Sequence, residues 1–366
     1  MQRGPRAIKT GNNWWYVGFD LESNMRSPDW TVRFAACATV LLAGVVTGWT
    51  RPSQAMAHHG DRDARVPAAW RLDTPLPRKR VAVIARRGAD GLIYVFGSSP
   101  TIDVFNPPTH RWSTRSPGPT TVARVPADPS ELMYMVSGRT FEAYDPNTNS
   151  WSARAPLPVE RYDAAAVTGK DGKIYVLGGY GPDPTDNSNR LYRRGLDVYD
   201  PGTNSWQVKA PMPTGREGLG AAVGPDGTVY AIGGGSDHFD RRYSCYDVVE
   251  AYTPRTDAWS TMPPLPLPMC GVTAGTTARG TIVAVGGSTV GGGEQSSRIT
   301  TATGKVVAFT PDSHGWIALS RAPLLRKHAG AVVEPNGTVY LIAGADRFGR
   351  ATATVETCSG CASRVK

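Results

Sequence analysis

Three arginines of this 366-residue chain stand at matching points, each five residues beyond a proline: Arg80 after Pro75, Arg161 after Pro156 and Arg216 after Pro211. The same count reaches Val122 and Met269, and alignment of the last segment puts His328 at the sixth such point. A guanidinium is a flat fork of donors that matches carboxylate and phosphate groups, so converging arginines would grip an anionic ligand. Asp163, Glu217 and His328 lie beside them. A positioned acid and base next to an arginine is what proton transfer on a small anionic substrate requires. The bland alternative is that the arginines pair with Glu160, Asp163 or Glu217 and serve packing. Tyr180, Arg241, Arg242, Tyr243 and Arg347, with Tyr162 and His238, fall in variable segments and are expected to line the rim.

Other chemistry finds little support. The six histidines (His58, His59, His110, His238, His314 and His328) are dispersed, so no metal is expected, and no cofactor. Asp183, Asp186, Asn187 and Asn189 could offer oxygens to calcium, but an ordinary solvated turn is the stronger reading. The glycine doublets end a strand that another strand follows, with no helix and no Gly-Lys-Ser/Thr, so they are not nucleotide loops. Of five cysteines, Cys37 lies in an apolar N-terminal run. Cys245 and Cys270 are expected to share one face of adjacent units and form a disulfide. Cys358 and Cys361 are expected to form a local one, a redox site being the lesser reading without a βαβ context.

The positions of these residues follow from a repeat. Six strands share one pattern: "GLIYVFGSS" (91–99), "ELMYMVSGR" (131–139), "GKIYVLGGY" (172–180), "GTVYAIGGG" (227–235), "GTIVAVGGS" (280–288) and "GTVYLIAGA" (337–345). An aromatic residue follows five of them, with tryptophan seven residues later: Phe105 to Trp112, Tyr144 to Trp151, Tyr199 to Trp206, Tyr252 to Trp259 and Phe309 to Trp316. Between aromatic and tryptophan lie turn strings such as "DPNTNSW" and "DPGTNSW". Each unit therefore reads as four short strands: a small-residue strand a, the Gly-Gly strand b, strand c with the aromatic, and strand d with the tryptophan. Strand a of the second unit, "TTVARVPADPS" (120–130), is a poor match and is expected to be irregular.

Across residues 70–358 this pattern resembles the kelch repeat. The resemblance implies an all-β fold, a six-bladed β-propeller of four-stranded blades. The sixth copy lacks a strand d, while Trp70 and Pro75 stand at the other end with no blade before them. The N-terminal strand is thus expected to complete the last blade and close the ring, protecting sheet edges. Strand alternation puts the long b-to-c loops and the d-to-a links on one face, where function is expected. In kelch proteins that hold acidic ligands, arginines at the strand-a entrance do the holding. The resemblance thus implies an anionic partner, an acidic glycan or an extracellular protein. The rival reading is a carbohydrate enzyme similar to the kelch mutarotases that interconvert sialic acid anomers, with Glu217, Asp163 and His328 as its candidates. Copper oxidases on kelch propellers use a Tyr-His pair, which is absent here.

Residues 1–57 differ from the rest. Arg26 and Arg33 precede the apolar run 34–49, and Ala55 and Ala57 form a small-x-small site, so a secretory signal is expected, with an uncleaved anchor as the alternative and Met25 as a possible start. The propeller would occupy 58–366, outside the cytoplasm or at the cell surface, as a monomer. Without the leader, 34 basic residues face 28 acidic ones. They are scattered, with no nucleic-acid-binding signature, so no nucleic-acid partner is expected.

Overall fold

Runs such as Ile93–Phe96 and Ile174–Leu177 are β-branched and aromatic, too short for a helix and bounded by turns; their backbone groups are satisfied by pairing with neighbouring runs. A computed structural model describes residues 8–10, 13–15 and 70–362, except 98, 118–131, 184–185, 238–242, 291–299, 303, 312, 314 and 347. The 34–57 part of the expected leader, the irregular segment at 120–130, and Val122, His58, His59, His238, His314, Arg241, Arg242 and Arg347 all lie outside the described residues. The chain divides into two units, residues 1–62 and 63–366. In the first, Ile8–Thr10 pairs antiparallel with Asn13–Trp15.

The second unit is a six-bladed, all-β propeller. Blade one runs Ile84–Arg87, Ile93–Phe96, Thr101–Asn106, Arg111–Pro117. Blade two shows three described strands, Met133–Ser137, Thr140–Asp145 and Ser150–Ala153. Blade three runs Ala165–Thr168, Ile174–Leu177, Leu196–Asp200, Ser205–Lys209, and blade four Gly220–Val223, Val229–Ile232, Val249–Thr253, Ala258–Met262. Blade five runs Cys270–Thr276, Ile282–Val290, Lys305–Phe309, Ile317–Arg321. The sixth sheet takes Gly330–Val333, Val339–Ile342 and Val355–Cys358 from one end of the chain and Trp70–Leu72 from the other, with Trp70 opposite Cys358. Among the described residues no helix is long and apolar enough to cross a membrane.

The repeated aromatics fill the space between blades. The strand-b tyrosine of one blade meets the strand-c aromatic of the next: Tyr94 with Tyr144, Tyr134 with Tyr199, Tyr175 with Tyr252, Tyr230 with Phe309 and Tyr340 with Phe105, all with ring centres 5.8–6.2 Å apart. Such pairs add about 0.5–1.5 kcal/mol each beyond the area they bury. Four of the repeat tryptophan indoles then reach the preceding blade. Trp206 donates to the carbonyl of Ala155, Trp259 to Ala210, Trp316 to Pro263 and Trp112 to Thr74. A residue at positive φ in the c-to-d turn completes this clamp. Asn204 accepts from the Ala155 amide and Asp257 from the Ala210 amide, while each also takes its own blade's strand-c tyrosine hydroxyl. At the ring's seam Asp73 substitutes, accepting from the Thr74 amide and pairing with His110 at 2.8 Å.

The glycine doublets serve the same tight packing. A Cβ on Gly178 would lie 2.6 Å from the Arg216 carbonyl of the next blade, and one on Gly179 2.6 Å from the Tyr162 carbonyl. Both residues take positive φ, 67° and 86°.

Candidate functional site

The three arginines expected at the channel mouth are not there. Each lies four residues before strand a and turns inward, into its own blade, where it meets a carboxylate on strand c. Arg80 pairs with Asp103 at 2.6 Å, Arg216 with Glu250 at 2.5 Å, and Arg161 with Asp197. All three arginines are buried, Arg216 completely. Further donors of each go to strand-b and loop carbonyls: Gly97 for Arg80, Gly178 and Gly195 for Arg161, Gly233 and Ala231 for Arg216. Burial lowers each guanidinium below its ordinary value and the facing carboxylate draws it back up. A guanidinium so placed still carries its charge, and that charge is spent on the blade. The anion-gripping role expected of Arg80, Arg161 and Arg216 is corrected on this ground. The partners also differ from the loop acids expected, Glu160, Asp163 and Glu217.

The alignment at blade six is corrected too. The residue equivalent to Arg161 and Arg216 is Arg326, not His328; it is buried, pairs with Glu356 and donates to the carbonyls of Ala343 and Thr354. Counting back four residues from "GAVV" (330–333), as from "AAVT" (165–168) and "GAAV" (220–223), finds it, since all four arginines precede strand a by the same step. In blade five both members of the pair are apolar, Met269 and Val307, packed in one cluster.

The mouth is formed two residues further along. Ala82, Asp163, Gly218, Gly271 and His328 occupy one position in five blades, and all have positive φ, between 48° and 66°. Their backbones are linked from blade to blade: Gly218 N–H donates to Asp163 O at 3.0 Å, Gly271 N–H to Gly218 O at 2.8 Å, and Val83 N–H to His328 O at 3.4 Å. This girdle fixes the rim and directs its side chains into a cavity of about 290 Å³. Glu217, Tyr243 and Arg86 complete its titratable lining. Asp163, Glu217 and His328, separated by up to 165 positions in sequence, do meet in space.

The electrostatics of the cavity are acidic at its rim. His328 is open to the channel yet walled by protein, and this crowding lowers its imidazole below the ordinary value; Asp163 partly offsets the effect and Lys327 adds to it. Tyr243 is held far above the usual phenol range by burial first, then by the charge of Glu217, to which it hydrogen-bonds, and of Asp163. At neutral pH the cavity therefore presents a neutral imidazole and a protonated phenol beside the side chains of Asp163 and Glu217. Arg86 lies deeper, lines the next cavity along the channel and donates to the Ala85 carbonyl.

Around the mouth, the b-to-c loops of blades three and four are hairpins. Tyr180–Asp183 pairs with Asp186–Tyr192, and Gly235–Asp237 with Tyr243–Cys245. Asp183, Asp186, Asn187 and Asn189 fall in the first, their side chains outside the described residues. Tyr180 sits at the base of that hairpin, its backbone paired with Tyr162 and the two rings 5.5 Å apart. The Tyr162 hydroxyl donates to Glu160, which with burial pushes it up to about 12. Cys245 at the end of the second hairpin is disulfide-bonded to Cys270 at the entrance of blade five, and Cys358 to Cys361. Among the described residues no group of three or more His, Cys, Asp or Glu gathers as a metal set.

The Kelch motif family model matches residues 161–213 and 219–266, which are blades three and four with their strand-a entrances. Those two blades are kelch motifs. The chain is 35% identical over 133 residues to human Kelch repeat and BTB domain-containing protein 12, covering 34% of this chain and 21% of that one. Mouse Kelch-like protein 35 is 33% identical over 189 residues, 51% of this chain and 28% of its own length. Beta-scruin of Limulus polyphemus is 27% identical over 194 residues, 52% of this chain and 19% of its own. The chain thus spans from just under a fifth to under a third of the length of these relatives. Among solved structures, that titled "Structure of YjhT" superposes with a TM-score of 0.58 at 16% identity, covering 77% of this chain and 95% of that one. At that identity the likeness is one of fold.

Proposed function

We propose that the chain is an exported propeller that docks a protein partner on the face carrying its b-to-c loops, with the channel mouth at the centre of the contact. The observation that carries this reading is the placement of exposed apolar side chains. Val159, Tyr162 and Leu191 of blade three and Leu324 and Phe348 of blade six all lie on that face, Phe348 being 66% exposed. Exposed apolar groups on a rigid, loop-bearing face are what a protein interface uses as anchors. The backbone girdle fixes the described strand-a entrances, and the Cys245–Cys270 disulfide ties the base of the blade-four hairpin to blade five, which lowers the ordering that binding must impose there. Kelch repeats commonly bind proteins, which agrees with this use of the face. Two disulfides support an oxidising compartment. Selection of a random peptide library displayed on phage tests the reading. Wild-type protein should enrich binders that a Leu191→Ser/Phe348→Ser variant, folded by circular dichroism, no longer holds. Failure to enrich any binder, or binders indifferent to the variant, would sink it.

A second reading is favoured by the convergence of Asp163, Glu217 and His328 in one cavity: acid–base chemistry on a sugar, of the mutarotase kind. With Arg80, Arg161 and Arg216 engaged inside the blades, such a sugar would be a neutral one. Exchange NMR of sugar anomers decides it, a rate equal to that of buffer rejecting the enzyme.

A further inference from the structure

Resting on the docking reading above, we infer that the channel mouth receives a cationic side chain, lysine or arginine, from the partner. The cavity is concave and about 290 Å³, room enough for one extended side-chain head. Its rim carries Asp163 and Glu217, from two adjacent blades. Their field is felt by two other titratable groups of the lining, Asp163 acting on His328 across the mouth and Asp163 and Glu217 both on Tyr243, while Arg86 lies deeper, towards the next cavity. Three of the girdle positions are Ala82, Gly218 and Gly271, which leave the entrance open, so the acidic residues are reached without displacing a large side chain.

The chemistry favours an ammonium or guanidinium over an anion. A carboxylate offers about four acceptor sites, so Glu217 can accept from Tyr243 and still receive a ligand donor. Charge-assisted bonds from an ammonium or guanidinium are the stronger kind. The imidazole of His328, neutral at pH 7, does not oppose a cation there. Apolar anchors stand in two groups on blades three and six, and six blades place those on opposite sides of the mouth. A peptide with a basic residue between two apolar ones fits all three features at once. The net charge of the whole chain is +9, so attraction of a basic peptide must be local to the mouth.

Saturation-transfer NMR on the full chain is the test, using the blocked amides of lysine, arginine, norleucine and glutamate as probes. The lysine or arginine probe should bind, norleucine and glutamate should not, and binding should weaken at least tenfold in an Asp163→Asn/Glu217→Gln variant. Both replacements keep shape, and asparagine tolerates the φ of 48° at position 163. Norleucine binding as well as lysine, glutamate binding better, or a variant that binds unchanged would overturn the inference. Its failure is separable from that of the docking reading: phage-selected peptides lost on Leu191→Ser/Phe348→Ser but free of basic residues would leave the docking face standing and remove the cationic pocket.

Discussion

His328 illustrates how a residue can be placed correctly and aligned wrongly. It does stand at the mouth, but as the counterpart of Asp163 and Gly218 rather than of the arginines. Because its pKa is lowered in the folded protein, protonation opposes folding. The sign follows: this residue's contribution is fully present above the unfolded value near 6.5, declines as pH falls below it, and levels off under the folded-state pKa. His328→Asn suits the φ of 52° and removes the effect. Urea unfolding at pH 7.5 and pH 5 should show a larger acid-induced loss for wild type than for the variant; equal losses would refute the sign. The glycines give a second residue-level prediction. Gly172 has φ of 75° with open space where a Cβ would go, whereas Gly179 has φ of 86° and a carbonyl 2.6 Å away. Gly172→Ala should cost about 1–2 kcal/mol from backbone conformation alone. Gly179→Ala should cost more, since the Tyr162 carbonyl must move as well, and denaturant melts of the two would rank them.

At the level of the strand, the buried arginines show what sequence spacing conveys and what it withholds. Their period was legible, but not their partners, because the carboxylate lies 23 to 36 positions away on strand c, two residues before the aromatic. Spacing within a repeat reports equivalence; it does not report which way a side chain turns. The decisive pattern was nevertheless present in the letters. Asp103, Asp197, Glu250 and Glu356 accompany the four arginines, while blade five pairs Met269 with Val307, both apolar together. A buried pair replaced as a unit loses little, whereas removal of one partner strands a charge and costs about 3–5 kcal/mol. Arg216→Met and Glu250→Val should each destabilise by about that amount. The double replacement, which copies blade five, should recover most of the loss. A double-mutant cycle from chemical denaturation measures the coupling, and additive losses would show that the pair is not a unit.

Over the whole molecule, the tryptophan period, the doublets and the missing last strand d were enough to read six blades, because each blade must bury its faces against its neighbours and the repeat writes that need six times. The face bearing the site was legible from strand alternation. Asp163, Glu217, His328 and Tyr243 were named from their places near the strand-a entrances and loops, but that they line the mouth without Arg80, Arg161 and Arg216 was not legible, because it depends on a girdle of backbone bonds between blades that has no sequence signature beyond residues tolerant of positive φ. The seam is where this mutual dependence can be tested. Trp70–Leu72 covers the edge of Val355–Cys358, and the Trp70 indole donates to Ser320 of blade five. Asp73 then ties this segment to His110 in blade one. A chain begun after Pro75 would lose all three links and leave the backbone of 355–358 unpaired on its outer side, an edge that recruits other chains. Such a truncation should melt at lower temperature and elute from size-exclusion chromatography with light scattering as heavier species than a chain begun at Asp63. Trp70→Ala, which keeps the strand but removes the indole, should destabilise by about 3 kcal/mol without the change in mass. If the truncated chain stayed as stable and as small as the longer one, the seam would not be holding the ring, and the ordering of the channel mouth would need another source.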